Sequence, residues 1–567
     1  MRQALVVTVT GHRDLVDSEI DGIRERVRGL LAFLETRYPH MQPRMLSPLA
    51  EGADQLAAKV ALGMSVPLDV VLPMPKAEYL KDFADAAGVG PFHELCDQAE
   101  NVFVLAGHAD GMTHEECYAR LGVFQASHCH VLLAIWDGKD SHDLGGTSQV
   151  VRFHHDDIMP GYEPKSSVSQ HMLVDDESDL VYHIVCSRDR GNGEPADGLR
   201  PLDWSWFTKS EHEPRARELP DAHDVVFQRA DEFSRDANRF AGRIGAGPYS
   251  LLTEAGSALG IDGLENIDEA FRAADGLAIH YQQKTLNALR VTHMLAFAMG
   301  TLFVLYFDLA TQQPLLYLFL ACFAVSVGVQ KLAGARNWHR KYLDYRTLAE
   351  GLRVQFYWAM AGISQEKLET YSHDIFLRLQ DPEVGWIRNT MRVAGTINDA
   401  RPQPHTAALH RVIEEWVGDP GAGQLGYYRV KSGERARRHR VTEALGSVSL
   451  VTSATIVVLF LVAGASIPAN LVGPLMVVMG VTLLLFGVRH AHAFATAERE
   501  LIKQYEFMLR IFANASKRLA ESDTDDQRRE VLMALGSSAL DEHAQWLLMH
   551  RERSLDQSGI WRMGSGS

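Results

Sequence analysis

Over the first 190 residues, short apolar runs alternate with stretches of helical period. "ALVVTVTG" (4–11), "LDVVLPMP" (68–75), "NVFVLAG" (101–107), "HVLLAIWDG" (130–138) and "LVYHIVCS" (180–187) are almost continuously apolar, and each ends in turn residues. Such runs predict strands buried on both faces. Between them, "EIDGIRERVRGLLAFLETRY", "GADQLAAKVALG", "HEECYARLGVFQASH" and "TSQVVRFHHDDIM" read as helices. Strand and helix in turn predict a parallel sheet covered on both faces, a Rossmann-like α/β domain over 1–190.

The pattern then changes. Residues 191–290 are polar with a weak helical period, as in "DVVFQRADEFSRDANRF" and "GLAIHYQQKTLNALR", and predict a helical connector. "THMLAFAMGTLFVLYFDLA" (292–310) and "LLYLFLACFAVSVGVQKLA" (315–333) flank the loop "TQQP". "LGSVSLVTSATIVVLFLVAGA" (445–465) and "NLVGPLMVVMGVTLLLFGV" (470–488) flank "SIP". A hydrocarbon core of about 30 Å takes about 20 apolar residues in a helix. The expected membrane region is all-α, with four transmembrane helices in two hairpins, over 291–335 and 445–490. Long cytoplasmic helices are expected over 336–444 and 491–560. Lys331 can snorkel from its helix end, and Pro474 is tolerable within a membrane helix.

Charge placement gives an orientation. Arg290, Lys331, Arg336, Arg340 and Lys341 flank the first pair and Arg435, Arg437, Arg438, Arg440 and Arg489 the second, while both tight loops lack Lys and Arg. The positive-inside rule then predicts that both termini and all large segments are cytoplasmic. "RKYLDYRTLAEGLRVQFYWAMAG" after the first pair and "RELIKQYEFMLRIFANASKRLAE" after the second share one apolar spacing, which predicts a duplicated module.

Composition adds exclusions. Hydrophobic residues are 46% and charged residues 23%, ordinary globular values, so the membrane character is concentrated in those four stretches. The net charge of −16 argues against binding a nucleic-acid polymer, which needs a basic surface. Cys96, Cys117, Cys129, Cys186 and Cys322 form no CxxC pair, a pattern of reduced thiols rather than a disulfide framework. "MRQALVVTVTGHRDL" lacks the basic stretch, apolar core and cleavage site of a secretory signal.

The candidate chemistry lies where strands end. "TGHRDL" places Gly11, His12 and Arg13 after the first strand. "LSPLAEGADQLAAKVAL" places Gly52 before a helix begun by Ala53 and Asp54, and "LGGTSQVV" places Gly145, Gly146 and Thr147 at another helix start. Loops at the carboxyl ends of parallel strands, with free amides at helix N-termini, suit a phosphate-bearing ligand. Arg188 and Arg190 of "HIVCSRDRG" add charge for a phosphate.

"VTVTGHRDL", "SPLAEGADQLAA" and "AIWDGK…GGTSQVV" together resemble the SLOG superfamily, the Rossmannoid group of the LOG phosphoribohydrolases and the DprA proteins. The resemblance covers residues 1–190 and implies that Gly11, His12, Arg13, Gly52, Asp54, Gly145, Gly146 and Thr147 line a nucleotide pocket. The LOG enzymes carry a glutamate two residues after the threonine of the glycine motif, and here Gln149 stands there. An amide cannot act as a carboxylate acid or base, so the expected pocket binds and does not cleave. Glu51 and Asp54 are the nearby carboxylates that would have to substitute.

"WHRKYLDYRTLAEGLRVQFYWAMAG", "GYYRVKSGERARRHR" and "LDEHAQWLLMHRERSL" resemble the SLATT family of two-helix membrane effectors, over 275–555. This implies a nucleotide second messenger as ligand, no cofactor, a homo-oligomer in the bacterial inner membrane, and a role as a pore or ion channel in antiviral defence. The competing expectation is a membrane-anchored nucleotide N-glycosidase of LOG type.

Other signals are weaker. "SHCHV", "FHHDD" and "RHAHAF" tempt a metal reading, but none brings a third or fourth ligand to one point. Ser449 with Ser453, and Cys322 with Ser326, share helix faces and predict close helix packing before pore lining. Asp308, near a loop end, is expected to reach water.

Overall fold

Eight strands form one sheet in a computed structural model that describes residues 2–83, 86–105, 111–162, 179–209, 214–244, 249–308, 312–363, 384–401 and 405–551. They are β1 (Ala4–Gly11), β2 (Gln42–Ser47), β3 (Leu68–Leu72), β4 (Asn101–Val104), β5 (Val131–Trp136), β6 (Val181–Val185), β7 (Trp204–Phe207) and β8 (Arg215–Ala216). Their order is β4-β3-β2-β1-β5-β6-β7-β8. β1 to β6 run parallel; β7 and β8 add antiparallel pairs at one edge.

Alternate residues of each inner strand serve opposite faces. Val6, Leu46, Val71, Leu132 and Ala134 join one core cluster with Leu121 and Phe124 of helix His114–Ser127 and Val150 and Val151 of helix Thr147–Asp156. Leu5, Val7, Met45, Val70 and Leu133 are buried as well, so neither face meets water. Helix Ile20–Arg37 covers this second face, where its Phe33 packs on Trp206, itself against Tyr182.

Three strands depart from the expected pattern. β2 reads "QPRMLS" and hides its strand character because Arg44 is held by Asp69 at 2.8 Å and by Glu100 at 2.6 Å. β7 and β8 fall where a helical connector is expected from 191 onward, so the sheet extends to Ala216. These short edge strands are capped by cations, with Arg215 over the Phe207 ring at 4.2 Å and Arg217 over Trp204 at 5.2 Å. Residues 106 and 107 of the expected strand 101–107 lie outside the described residues.

The chain divides into two units, Met1–Ala274 with Leu348–Leu409, and Asp275–Thr347 with His410–Ser567. The first therefore recruits a segment from between the two expected hairpins. Its helix Gly385–Ala400 sits at the amino ends of the strands, where the Gln3 side chain donates to the Thr390 hydroxyl at 2.5 Å and Arg392 donates to the Cys129 carbonyl at 2.9 Å. His128 Nε2 lies 3.0 Å from the Asp399 carboxylate on the same helix. All five cysteines are free thiols.

In the second unit the four apolar stretches lie within longer helices, Leu264–Asp308, Gln313–Ala335, Gly423–Ala463 and Ala469–Ala495, each long and apolar enough to cross a membrane. Leu309 and Ala310 of the first expected span, Thr311 of its loop and 552–560 of the expected C-terminal helices lie outside the described residues. The Ser453 hydroxyl pairs with Thr482 at 2.6 Å and reaches the Met479 carbonyl at 3.1 Å, joining the last two of these helices. The backbone also repeats. Asn337 and Ala497, 160 residues apart, both adopt the left-handed conformation, with φ of 49° and 48°. Each follows an apolar helix and starts a further long one, Trp338–Met360 or Glu498–Glu521.

Candidate functional site

The strand order reverses direction between β1 and β5: the chain moves outward from β1 to β4, then returns to place β5 on the other side of β1. In open α/β sheets a crevice forms outside the carboxyl ends of the strands at such a reversal. His12 follows β1 and Asp137 follows β5, so both stand at that crevice. Burial holds the His12 imidazole below its ordinary pKa, against the opposing pull of Asp137. His12 Nε2 lies 3.2 Å from the Asp137 amide nitrogen and 3.1 Å from the Asp137 carboxylate. The same carboxylate oxygen also accepts the Lys139 amide at 3.0 Å, so Asp137 ties the exit of β5 to His12.

The first two loops interlock. A Cβ on Gly11 would lie 2.8 Å from the Ile135 carbonyl and would strike the Ala53 side chain, so this strand end tolerates only glycine. Gly52 has a φ of 78° and packs on the backbone carbonyls of His12 and Arg13. The Ala53 amide donates to the His12 carbonyl at 3.1 Å and Gln55 to Ala50 at 3.3 Å. These bonds correct the expectation of a row of free amides at this helix start, because the chain itself takes two of them.

Asp54 also differs from the expected solvent-side ligand. It is 5% exposed, its carboxyl receives the Ala50 amide, and Oδ1 has no hydrogen-bond partner. Burial raises its pKa to about 8, with Arg13 opposing. The Tyr79 hydroxyl beside it is equally buried and also unpartnered. Arg13 caps this cluster, donating to the Asp82 carbonyl at 3.1 Å and to the Tyr118 hydroxyl at 3.4 Å, while Tyr118 donates to the Asp82 carboxylate at 2.9 Å.

A raised carboxyl pKa means that the folded state binds the proton more tightly than the unfolded chain does. Stability therefore falls as pH rises from the ordinary carboxylate range to about 8, by at most about 1.4 kcal/mol per pH unit. Asp54→Asn should flatten that slope and raise the melting temperature at pH 8, read by thermal melts across pH. An unchanged slope would show that Asp54 is already ionised.

The third loop touches the first through Tyr118. Gly145, with φ of 75°, packs against the Tyr118 backbone and Cβ, and Gly146 caps helix Thr147–Asp156. No acceptor among the described residues takes the amides of Thr147, Ser148 or Gln149. This helix start, not the one at Gly52, presents the row of open amides. The Gln149 side chain donates to the Ser141 carbonyl at 3.1 Å, which fixes the loop, and its buried Oε1 is unpartnered.

Arg188 reaches the site by a different role from the expected one. Its Nε donates to both oxygens of Asp14, at 2.9 and 3.1 Å, tying the exit of β6 to the first loop. Arg190 is exposed. The structure thus gathers Gly11, His12, Arg13, Gly52 and Asp54 tightly, Gly145 through Tyr118, and Arg188 through Asp14, with Gly146 and Thr147 at the neighbouring helix start. Tyr79, Asp82 and Tyr118 join the site without standing in any of the motifs that mark it in the sequence, and Asp137 joins it from within "AIWDGK". For Asp137 a signal existed, a polar residue ending an apolar strand as His12 does. The tempting histidines serve the fold: His130 accepts the Val6 amide at 2.9 Å and His154 bonds the Leu180 carbonyl at 3.3 Å.

The chain matches no family model, no curated protein and no solved structure.

Proposed function

We propose that this chain is a membrane-bound receptor for a nucleotide-derived signal, and that ligand binding at the β1–β5 reversal drives a change in its membrane helices. The observation that carries the reading is the open amide row at Thr147, Ser148 and Gln149, which follows β5 at the same sheet edge where His12 follows β1. A helix start with unengaged amides attracts phosphate through its partial positive charge. The resemblance to SLOG and SLATT proteins supports the same reading, with a bacterial inner-membrane, antiviral setting and cytoplasmic large segments.

A ligand shifts a two-state membrane region only by binding one state more tightly, and a pore lined by few helices per chain calls for a symmetric homo-oligomer. The test is dye leakage from vesicles holding the purified chain, with a panel of cyclic and linear nucleotides. One nucleotide should raise leakage tenfold or more; leakage equal with and without every nucleotide would overturn ligand gating.

A further inference from the structure

The four apolar helices leave open what lipid their polar ends meet. Helix Gly423–Ala463 carries a continuous outward stripe: Val441, Leu445, Val448, Val451, Val458 and Val462 recur at helical spacing and are each 53–83% exposed. A stripe so apolar and so exposed belongs in hydrocarbon. Arg437 and Arg438 stand on the same stripe, one turn before Val441, and Arg440 stands beside them; all three are exposed. At 1.5 Å per residue their Cα atoms lie about 7–12 Å before Leu445, where the apolar span begins, within reach of the headgroups for an arginine side chain. This is headgroup depth.

Of the acids on this helix, Glu434 lies within electrostatic reach of Arg438 but makes its ion pair with Lys431. No carboxylate among the described residues forms an ion pair with Arg437, Arg438 or Arg440. The acids of the same helix are engaged elsewhere, Glu434 with Lys431 at 2.9 Å and Glu443 with Arg499 at 2.9 Å. The earlier copy of the module is built differently. At the positions 160 residues before, it has Leu277, Ala278 and His280, and the first two are buried. The basic turn is thus not a requirement of the repeated architecture but a feature of the second copy.

We propose that Arg437, Arg438 and Arg440 form an anionic phospholipid site at the headgroup layer, binding the phosphate of a lipid such as phosphatidylglycerol. Guanidinium groups match phosphate geometry with paired donors, and each cation near an anionic surface adds about a fivefold preference. Three together give about a hundredfold preference over a zwitterionic headgroup. The inference rests on the membrane reading of the four helices.

The experiment has two stages. Flotation of the full chain with pure phosphatidylcholine vesicles tests membrane insertion alone. Extraction from vesicles of equal phosphatidylcholine and phosphatidylglycerol, with mass spectrometry of the retained lipid, then tests the site. Wild-type chain should retain phosphatidylglycerol almost exclusively, Arg437→Gln/Arg438→Gln/Arg440→Gln should retain the two lipids near their bulk ratio, and the triple Lys variant should restore most of the preference. A chain that floats but retains both lipids equally, or a triple Gln variant that keeps the wild-type preference, overturns the inference alone. A chain that fails to float overturns the membrane reading with it.

Discussion

Gly52→Ala is expected to cost several kcal/mol of stability in the N-terminal unit and to abolish the proposed nucleotide binding. At an ordinary helix start, alanine for glycine is neutral or mildly favourable, because it reduces the freedom of the unfolded chain. Here the sign reverses for two independent reasons. A φ of 78° is costly for any L side chain, by about 1–3 kcal/mol. The added Cβ would also lie 2.6 Å from the His12 carbonyl and closer still to that of Arg13, both backbone atoms with no room to rotate away. Relief requires the first loop to move off the helix, which breaks the Ala53 amide bond to His12 at 3.1 Å and releases His12 from the β1–β5 crevice. The expected readout is a lower melting temperature together with faster hydrogen exchange over 11–14 and 49–56. A variant that melts with wild type and exchanges as slowly would show that the two loops are not interlocked.

How far this site can be read from the sequence follows from how local its causes are. Gly11, Gly52 and Gly145 announce themselves because a tight approach is written into one residue and its immediate neighbours. Tyr79, Asp82 and Tyr118 do not, because their meaning comes from meeting Arg13 across the fold, and a tyrosine in a helix looks like any other packing residue. Asp54 is legible as a helix-start acid yet not as a buried one, since burial depends on Tyr79 and Arg13 closing over it. The same distinction governs the fold. β1 is nearly all apolar and buried on both faces, so "ALVVTVTG" suffices to predict it. β2 needs its partners to explain Arg44, and β7 and β8 need theirs to explain why arginines lie over Phe207 and Trp204. Helix Gly385–Ala400 is hardest of all: it buries Arg388, Asn389 and Arg392, which the apolar period counts as outward positions. For Arg392 the explanation is the Cys129 carbonyl, which accepts its guanidinium from across the fold.

Gly480→Phe should separate two membrane-region helices that run in opposite directions along one seam. Helix Ala469–Ala495 presents Gly480 to Val304, with a Cβ position 3.1 Å from both valine methyl groups, and helix Leu264–Asp308 presents Gly300 to Leu484, 2.8 Å from Leu484 Cδ1. Further along, a Cβ on Gly473 would lie 2.9 Å from the Asp308 carbonyl. Glycine on one helix faces a branched residue on the other, twice in antiparallel register, so close backbone approach supplies the contact. Between lipid-solvated helices no hydrophobic driving force compensates for lost packing. A benzyl group at Gly480 finds Val304 where its first carbon must go, and overpacking of this kind costs about 1–3 kcal/mol. Gly487→Phe provides the comparison on the same helix, since a Cβ there meets nothing within 4 Å. Gly480→Phe should therefore lower the melting temperature in micelles and change the vesicle leakage of the chain without nucleotide, while Gly487→Phe leaves both close to wild type. If the two phenylalanine variants behave alike, bulk in the helix and not the Gly480–Val304 seam sets the stability of this region.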